Sequence, residues 1–228
     1  WMRGGLGMTN VASSMLFGGI SGTAVADAAS IGGMMIPGMK RAGYPADFSA
    51  AVTSASSTIG PIIPPSVPMI IVGALSGISV GKMFIAGIIP GLLLGVGMLI
   101  ITYILSVRRN YPRHPWQGWF HLWQTFLGAF WALAMTALIV GGMVSGFATP
   151  TETSIVAAVY AIVVGNLVYR ELPLKKVPGL LIDSAVSAAA ILLLVGTANV
   201  FGWILVSEHI PQMIADAVLS LTTNKYLV

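Results

Sequence analysis

The sequence predicts an all-α integral membrane protein. Hydrophobic residues make up 56% of the 228 residues and charged residues 8%, whereas soluble domains are about one quarter charged. Three uncharged runs are longer than the roughly 20 residues that a helix needs to cross a bilayer: residues 83–107, 122–151 and 184–207. The net charge of +4 is therefore a topology signal, and a nucleic-acid-binding face is excluded. The chain has no cysteine, which excludes disulfides and thiolate chemistry.

Most lysines and arginines fall in three clusters that set the expected topology. The clusters are Arg3 with Lys40 and Arg41, then Arg108, Arg109 and Arg113, and finally Arg170, Lys175 and Lys176. Short loops rich in these residues stay in the cytoplasm. With all three clusters inside, the expected spans are residues 47–74, 84–106, 121–147, 151–169 and 180–206. The two isolated lysines, Lys82 and Lys225, then lie outside.

The first apolar segment is predicted to be a re-entrant helical hairpin, because cytoplasmic cations flank both of its ends. Its arms, residues 4–18 and 25–39, would each reach about 22 Å as helix, short of a roughly 30 Å hydrocarbon core. The stretch "GGISG", residues 18–22, is the expected bend. Irregular backbone at this depth must be buried in protein or line a wet cavity. The alternative is one long kinked helix, which would place Arg3 outside and pass through three glycines.

The next stretch, "SASSTIGPIIPPSVP", predicts a broken transmembrane helix over residues 54–68. Each proline removes an amide donor and clashes with the preceding turn, so the break is expected near Gly60 and Pro61. Freed carbonyls and nearby hydroxyls would form a neutral oxygen cage for a small hard cation such as Na⁺. The half-helices after the bend and the break would direct positive N-terminal ends toward an anionic substrate. This combination is typical of secondary transporters, although serines also pack helices or bond back to carbonyls.

Asp27 lies near the start of the second hairpin arm. Carboxylates inside membranes are usually functional, which indicates part of a cation path, but the side chain could equally cap the amides of that helix. Other features are predicted to be structural. They are a capping box at Thr149 and Glu152, small residues spaced by four in residues 87–95, an interfacial arm at 113–126 rich in tryptophan, and an outer surface helix at 210–221.

Two other functional classes compete with a transporter. Residues 19–22, "GISG", match the nucleophile motif of rhomboid-type intramembrane serine proteases. That chemistry needs a base within reach of the serine, and His114, His121 and His209 are expected at or outside the interfaces. An ion channel is the stronger rival, because glycine loops and carbonyls also build selectivity filters. Channels usually assemble symmetric filters from short repeated loops, and the long hydroxyl-rich hairpin argues against this.

Three stretches closely resemble the large membrane (M) subunit of tripartite ATP-independent periplasmic (TRAP) transporters, the DctM-like family. They are "LFGGISGTAVADAASIGGMMIPGMKRAGYP", "AVTSASSTIGPIIPPSVPMIIVGALSG" and "SGFATPTETSIVAAVYAIVVGNLVYREL". The resemblance implies a multi-pass permease of the bacterial inner membrane, not an enzyme, with the inverted repeats and elevator mechanism of the ion-transporter superfamily. It implies Na⁺ as the coupling ion for import of an organic acid such as a C4-dicarboxylate or sialic acid. The implied partners are a periplasmic substrate-binding (P) protein and a small membrane (Q) subunit.

The resemblance also implies site residues and a division of the chain. The Na⁺ ligands would come from Gly19, Ser21, Ser56, Ser57, Thr58 and Gly60. The substrate would be bordered by Ser21, Gly22, Thr23, Asp27, Pro64 and Pro65. The implied regions are a hairpin (1–44) and a broken helix with the following span (45–107) in the transport domain, an interfacial arm (108–126), spans starting the second repeat and scaffold (127–209), and an outer helix with the start of another segment (210–228). The family's second hairpin and broken helix have no counterpart here, so we expect a fragment of a longer subunit.

Overall fold

A computed structural model of the chain describes residues 2–113 and 118–221. Regular structure in these ranges is helical apart from one isolated β-bridge. The α-helices are α1 (Gly5–Ser21), α2 (Ala24–Arg41), α3 (Ala46–Ser57), α4 (Val67–Ser76), α5 (Val80–Arg108), α6 (Gly118–Val144), α7 (Pro150–Val163), α8 (Val177–Ser207) and α9 (Ile210–Leu221). A π-helical turn, Val164–Val168, continues α7, and a 3-10 turn, Leu174–Lys176, precedes α8. The chain divides into two compact units after Arg170.

Four helical segments are long and apolar enough to cross a membrane, with mean hydropathy between 1.6 and 2.5. They are Val80–Arg108, Gly118–Val144, Pro150–Val168 and Leu174–Ser207. These segments correspond to the last four predicted spans, and they confirm the all-α integral membrane class. The remaining predicted span, residues 47–74, is divided between α3 and α4.

Helices α1 and α2 form a helical hairpin. Gly22 adopts a left-handed conformation (φ 63°) after α1, and the Thr23 hydroxyl caps α2 by accepting the Ala26 N–H at 3.3 Å. The open ends of the hairpin meet the end of α5: the Gly4 N–H donates to the Pro112 carbonyl at 3.3 Å. One long kinked helix is therefore wrong. The bend falls at residues 22–23, after two glycines that remain helical, and the re-entrant placement stays a prediction.

The predicted break in the first full span is confirmed. Helix α3 ends at Ser57 and α4 begins at Val67. The intervening chain starts with tight i+3 bonds, such as the Gly60 N–H to the Ser57 carbonyl at 3.1 Å. The Ser66 hydroxyl then caps α4 by accepting the Met69 N–H at 3.3 Å. Because amides already occupy the last α3 carbonyls, those oxygens are only partly free for a ligand.

Two apolar clusters hold unit 1 together. The first joins α1, α2, α3 and the end of α5 through Val11, Met39, Tyr44, Phe48, Val52, Ile59 and Tyr111. The second joins α5 to α6 and α7 through Phe84, Ile139, Met143 and Ala157. The small residues at 87–95 have the predicted packing role: a Cβ on Gly91 would lie 2.6 Å from the Ile63 side chain, and one on Gly95 would clash with the Met15 side chain. Absence of side chains on this face lets α5 approach both α1 and the break.

The other predicted elements have mixed outcomes. The capping box is confirmed, since the Thr149 N–H donates to the Glu152 carboxylate at 2.8 Å and its hydroxyl accepts the Glu152 N–H at 3.3 Å. Helix α9 covers the predicted outer helix at 210–221. Residues 118–126 of the predicted arm are the first turns of α6 rather than a separate element. Residues 114–117 and 222–228 lie outside the described ranges, and the implied division into transport and scaffold regions stays a prediction.

Candidate functional site

The tip of the hairpin packs directly on the break between α3 and α4. The Gly22 carbonyl accepts the Val67 N–H at 3.2 Å. A Cβ added to Gly22 would lie 2.7 Å from the Pro65 carbonyl oxygen, and one added to Gly18 would lie 2.8 Å from the Gly60 Cα. Only glycine permits such backbone contact. The two stretches singled out in the sequence therefore meet in space.

A buried polar cluster lies among α1, α2 and α3. Its members are Asn10 and Ser14 on α1, Asp27 on α2, and Thr53, Ser56 and Ser57 on α3, each at most 2% exposed. Residues four apart lie on one face of a helix, which places Asn10 above Ser14 and Thr53 above Ser57. The cluster is thus built from three short polar faces on otherwise apolar helices.

Hydrogen bonds within the polar cluster tie the hairpin to α3. The Asn10 Nδ2 donates to Thr53 Oγ1 at 2.7 Å, and the hydroxyls of Ser14 and Ser56 are 2.9 Å apart. The Ser57 hydroxyl donates to the Thr53 carbonyl at 2.8 Å. The bonding back to carbonyls considered for these serines is therefore present. A donating hydroxyl still keeps its oxygen lone pairs, so this bonding is compatible with cation ligation.

Asp27 is the exceptional member of the polar cluster. Its side chain is 0% exposed, and neither carboxylate oxygen has a hydrogen-bond partner within the described ranges. The hydroxyls of Ser14 and Ser57 lie near it, and they also bond to Ser56 and to the Thr53 carbonyl. The capping role considered for Asp27 is not observed, because Thr23 caps α2. Buried carboxyl groups in proteins are paired, coordinate a cation or carry a proton, so Asp27 is a candidate for holding a cation or a proton.

A cavity of about 220 Å³ adjoins the hairpin tip. It brings together three of the predicted substrate residues, Ser21, Gly22 and Pro65, and adds Ser154 of α7. Its remaining lining is apolar and comes from α1, α4, α6 and α7: Ile20, Val67, Ile70, Ile139, Met143 and Ala157. The capped N-termini of α2 and α4 begin beside it, since Gly22 contacts Val67.

Other predicted site residues belong neither to the polar cluster nor to the lining of the tip cavity. Thr58 is exposed, and its hydroxyl donates to the Ala55 carbonyl at 2.7 Å. Pro64 lines a separate apolar cavity of about 200 Å³. A Cβ on Gly19 would lie 2.9 Å from the Thr136 methyl, and one on Gly60 would lie 3.3 Å from the Thr23 carbonyl oxygen. Asp27 does not line the tip cavity and belongs to the polar cluster instead.

Sequence reasoning missed Asn10, Ser14 and Thr53. Their signal was available: polar side chains spaced by four on an apolar helix, with Thr53 four residues before Ser57. The protease alternative gains no geometric support. The Ser21 hydroxyl donates to the Thr23 carbonyl at 3.4 Å and accepts its N–H at 3.5 Å, so the hydrogen bonds described for it involve backbone rather than a histidine.

Comparison with known proteins agrees along the whole chain. The family described as "Tripartite ATP-independent periplasmic transporter, DctM component" matches residues 1–228. The sialic acid TRAP transporter large permease protein SiaM of Vibrio cholerae is 39% identical over 223 residues, 98% of this chain and 52% of that protein. The C4-dicarboxylate TRAP transporter large permease protein DctM of Pseudomonas aeruginosa is 37% identical over 226 residues, 99% of this chain and 53% of that protein.

A third relative is the 2,3-diketo-L-gulonate TRAP transporter large permease protein YiaN of Escherichia coli, 36% identical over 225 residues, 99% of this chain and 53% of that protein. The chain thus spans about half the length of these relatives. With its four candidate spans, it is a multi-pass protein of the bacterial inner membrane. The match over all 228 residues shows that the chain belongs to the DctM component family of tripartite ATP-independent periplasmic transporters.

Proposed function

We propose that the chain is the first-repeat core of a Na⁺-coupled permease that imports an organic acid of the C4-dicarboxylate or sialic-acid type. The observation that carries this proposal is the fully buried carboxylate of Asp27, which lies among hydroxyl groups and has no hydrogen-bond partner within the described ranges. A periplasmic binding protein would deliver the substrate, and a small membrane subunit would brace the permease. Relatives named for sialic acid and for C4-dicarboxylates support the substrate class.

The composition of the polar cluster favours a monovalent cation. Hard cations take oxygen ligands. The cluster offers hydroxyls, one carboxylate, and an amide oxygen of Asn10 that has no hydrogen-bond partner among the described residues. No group of three or more acidic, histidine or cysteine side chains able to hold a metal occurs within residues 2–113 and 118–221. One negative charge balances one Na⁺, whereas a divalent ion would remain half compensated. We assign Asp27, Ser56 and Ser57 to the ion.

The surroundings of the tip cavity favour an anionic substrate. Helices α2 and α4 both begin there, and each capping hydroxyl satisfies one N–H, of Ala26 and Met69 respectively. Helix N-termini carry partial positive charge and leave further amides for an anion. Ser21 and Ser154 add hydroxyl donors. We propose that the hairpin and the broken helix move together as an elevator and that the remaining half of a full-length permease completes the site.

Sodium-dependent thermal stability tests the ion site directly. A cation that binds only the folded state raises the melting temperature. We expect NaCl, but not KCl at equal ionic strength, to raise the Tm of the full-length permease. Asp27→Asn should abolish this difference. Asp47→Asn, which makes the same change at an exposed acid, should retain it; an Asp27 variant that NaCl still stabilises over KCl as much as the wild type would reject the assignment.

A further inference from the structure

Basic residues from three separate parts of unit 1 converge at one end of it. We call this surface the basic end and define it by Arg3, Lys40, Arg41, Arg108, Arg109 and Arg113. In the sequence these residues form two of the three clusters that set topology. The fold brings the two clusters together, because the start of α1, the end of α2 and the end of α5 meet there.

Backbone contacts hold the first residue of the basic end beside the last. Arg3 and Arg113 form an isolated antiparallel bridge, a pairing that places Cα atoms about 4.5–5.5 Å apart. The next residue, Gly4, donates its N–H to Pro112 at 3.3 Å, and the Arg3 guanidinium donates to the Asn110 side chain. Two arginines are thus fixed as direct neighbours.

Aromatic packing brings the end of α2 to the same place. The Tyr44 and Tyr111 ring centroids are 5.1 Å apart, and Phe48 packs on Tyr111 at 4.6 Å. Lys40 and Arg41 lie in the last turn of α2, one turn before Tyr44. Both are exposed, as are all three basic residues that follow in the α5 end. Five exposed cations and the half-buried Arg3 therefore share one surface.

This surface has a large excess of positive charge. Residues 2–113 contain two acidic side chains, Asp27, which is buried, and Asp47, which is exposed. Like charges held close together repel each other. Cytoplasmic retention needs basic residues in short loops but does not need loops from different segments to be joined. An anion bound between them would offset the repulsion.

An apolar helix face leads up to the basic end. Ile100, Ile101, Ile104 and Val107 are between 39% and 59% exposed. They occupy the last two turns of α5 before Arg108, in a helix long enough to span the bilayer. The cations therefore lie where an apolar span ends, at the depth of lipid headgroups. Arginine binds phosphate by paired hydrogen bonds, and basic pockets of this kind recognise anionic headgroups.

We propose that the basic end binds the phosphate headgroup of an anionic phospholipid, whose acyl chains lie along the exposed isoleucine face of α5. The isoleucine face favours a lipid over free phosphate. This site is independent of the Na⁺ site and of the transported acid. It would anchor the open ends of the hairpin to the membrane surface.

Lipid binding to the purified full-length permease with its small subunit tests this proposal. The probe is phosphatidylglycerol titrated into the permease in detergent micelles, with phosphatidylcholine as the neutral comparison and bound lipid counted by native mass spectrometry. Each basic residue near a surface strengthens anionic-lipid binding about five-fold, so Arg108→Gln with Arg113→Gln should weaken phosphatidylglycerol binding about 30-fold. Lys40→Gln with Arg41→Gln, on another element, should weaken it similarly. The matched control, Lys175→Gln with Lys176→Gln, removes two exposed cations of unit 2 and should change it less than about two-fold.

Several outcomes would overturn the proposal. Equal affinity of the wild type for phosphatidylcholine would show no headgroup recognition. An equal loss of phosphatidylglycerol affinity in the control variant would show that any two basic residues matter as much as those of the basic end. If inorganic phosphate at the same concentration as the lipid displaced phosphatidylglycerol, the ligand of the basic end would be a free anion and not a lipid. Loss of the small subunit from either basic-end variant, with phosphatidylglycerol binding intact, would assign the surface to a protein contact.

Discussion

The neighbours of the Asp27 carboxylate in the polar cluster are neutral groups, so the cluster has room in its charge balance for one cation. Its neighbours Ser14 and Ser57 are also fully or almost fully buried. Their hydroxyls also bond to Ser56 and to the Thr53 carbonyl, and as neutral groups they cannot balance the charge. A cation between these oxygens would both neutralise Asp27 and use the hydroxyl lone pairs. Each hydroxyl would then contribute part of the binding energy.

Ser57→Ala tests one such hydroxyl. Hydrogen bonds and ligand contacts to charged groups contribute about 1.5–3 kcal/mol, so the variant should raise the Na⁺ concentration for half-maximal uptake at least about ten-fold. The measurement is initial uptake by the full-length permease as a function of Na⁺. Ser76→Ala, at an exposed serine that also donates back to a helix carbonyl, should leave the Na⁺ dependence unchanged. The same Na⁺ dependence in the Ser57 variant would remove this residue from the ligand set.

At the scale of elements, the contact between the hairpin and the break depends on glycine in both. A methyl group added to Gly18 would lie only 2.8 Å from the Cα of Gly60. The helices on either side are held by the polar cluster, so the backbone has little freedom to withdraw. This contact joins the hairpin tip to the break between α3 and α4.

Gly18→Ala should therefore destabilise the permease. Forcing one methyl group into a close backbone contact costs about 1–3 kcal/mol. Gly33→Ala is the matched control, because Gly33 lies on α2 with no atom within 4 Å of an added Cβ. That change should be neutral or stabilise by up to about 1 kcal/mol. Unfolding in a graded denaturant series measures both, and equal stability of the two variants would contradict the proposed contact.

Several elements could be predicted from the sequence because their causes are local. Prolines break the helix after Ser57, uncharged runs define the long helices, and the pair Thr149 and Glu152 forms its capping box. The residue at which the hairpin bends depends on tertiary packing, because Gly18 and Gly19 remain helical to let α1 approach Gly60. Helix α6 begins within the predicted arm because an aromatic-rich stretch continues into a span without a breaker.

The polar cluster could be predicted only in part. Ser56 and Ser57 are expected from their position beside the break, whereas Asn10, Ser14 and Thr53 acquire meaning only when three helices pack. Thr58 is a hydroxyl residue directly after Ser56 and Ser57, yet the turn after α3 leaves it exposed. The residue type of Asp27 indicates part of a cation path or a helix cap, and the resemblance groups it with the substrate residues. The structure places it in the polar cluster. Tertiary contacts decide these cases.

At the scale of the molecule, the open ends of the hairpin are fastened to the end of α5. Tyr44, Phe48 and Tyr111 form a buried aromatic cluster there. The same place carries the Gly4 to Pro112 hydrogen bond. Residues far apart in the sequence thus couple α1, α2, α3 and α5, and this coupling supports our proposal that hairpin and broken helix move as one body.

Phe48→Ala should loosen this coupling. Truncation of a buried aromatic residue costs about 3–5 kcal/mol, and Phe48 is 5% exposed. Phe147→Ala removes the same atoms at a position that is 94% exposed and should change stability by less than about 0.5 kcal/mol. Thermal unfolding of the full-length permease distinguishes the two. A Phe48 variant as stable as the Phe147 variant would mean that the aromatic cluster does not hold these helices.

The central claim is that the hairpin and the break form the ion-coupled half of a transport site. Uptake of radiolabelled C4-dicarboxylates and sialic acid into proteoliposomes tests it most directly. The proteoliposomes contain the full-length permease with its small subunit, and the cognate binding protein is added with or without an inward Na⁺ gradient. We predict accumulation of one organic acid only when both Na⁺ and the binding protein are present. Ion conductance that needs neither would contradict a carrier and identify the glycine hairpin as a channel filter.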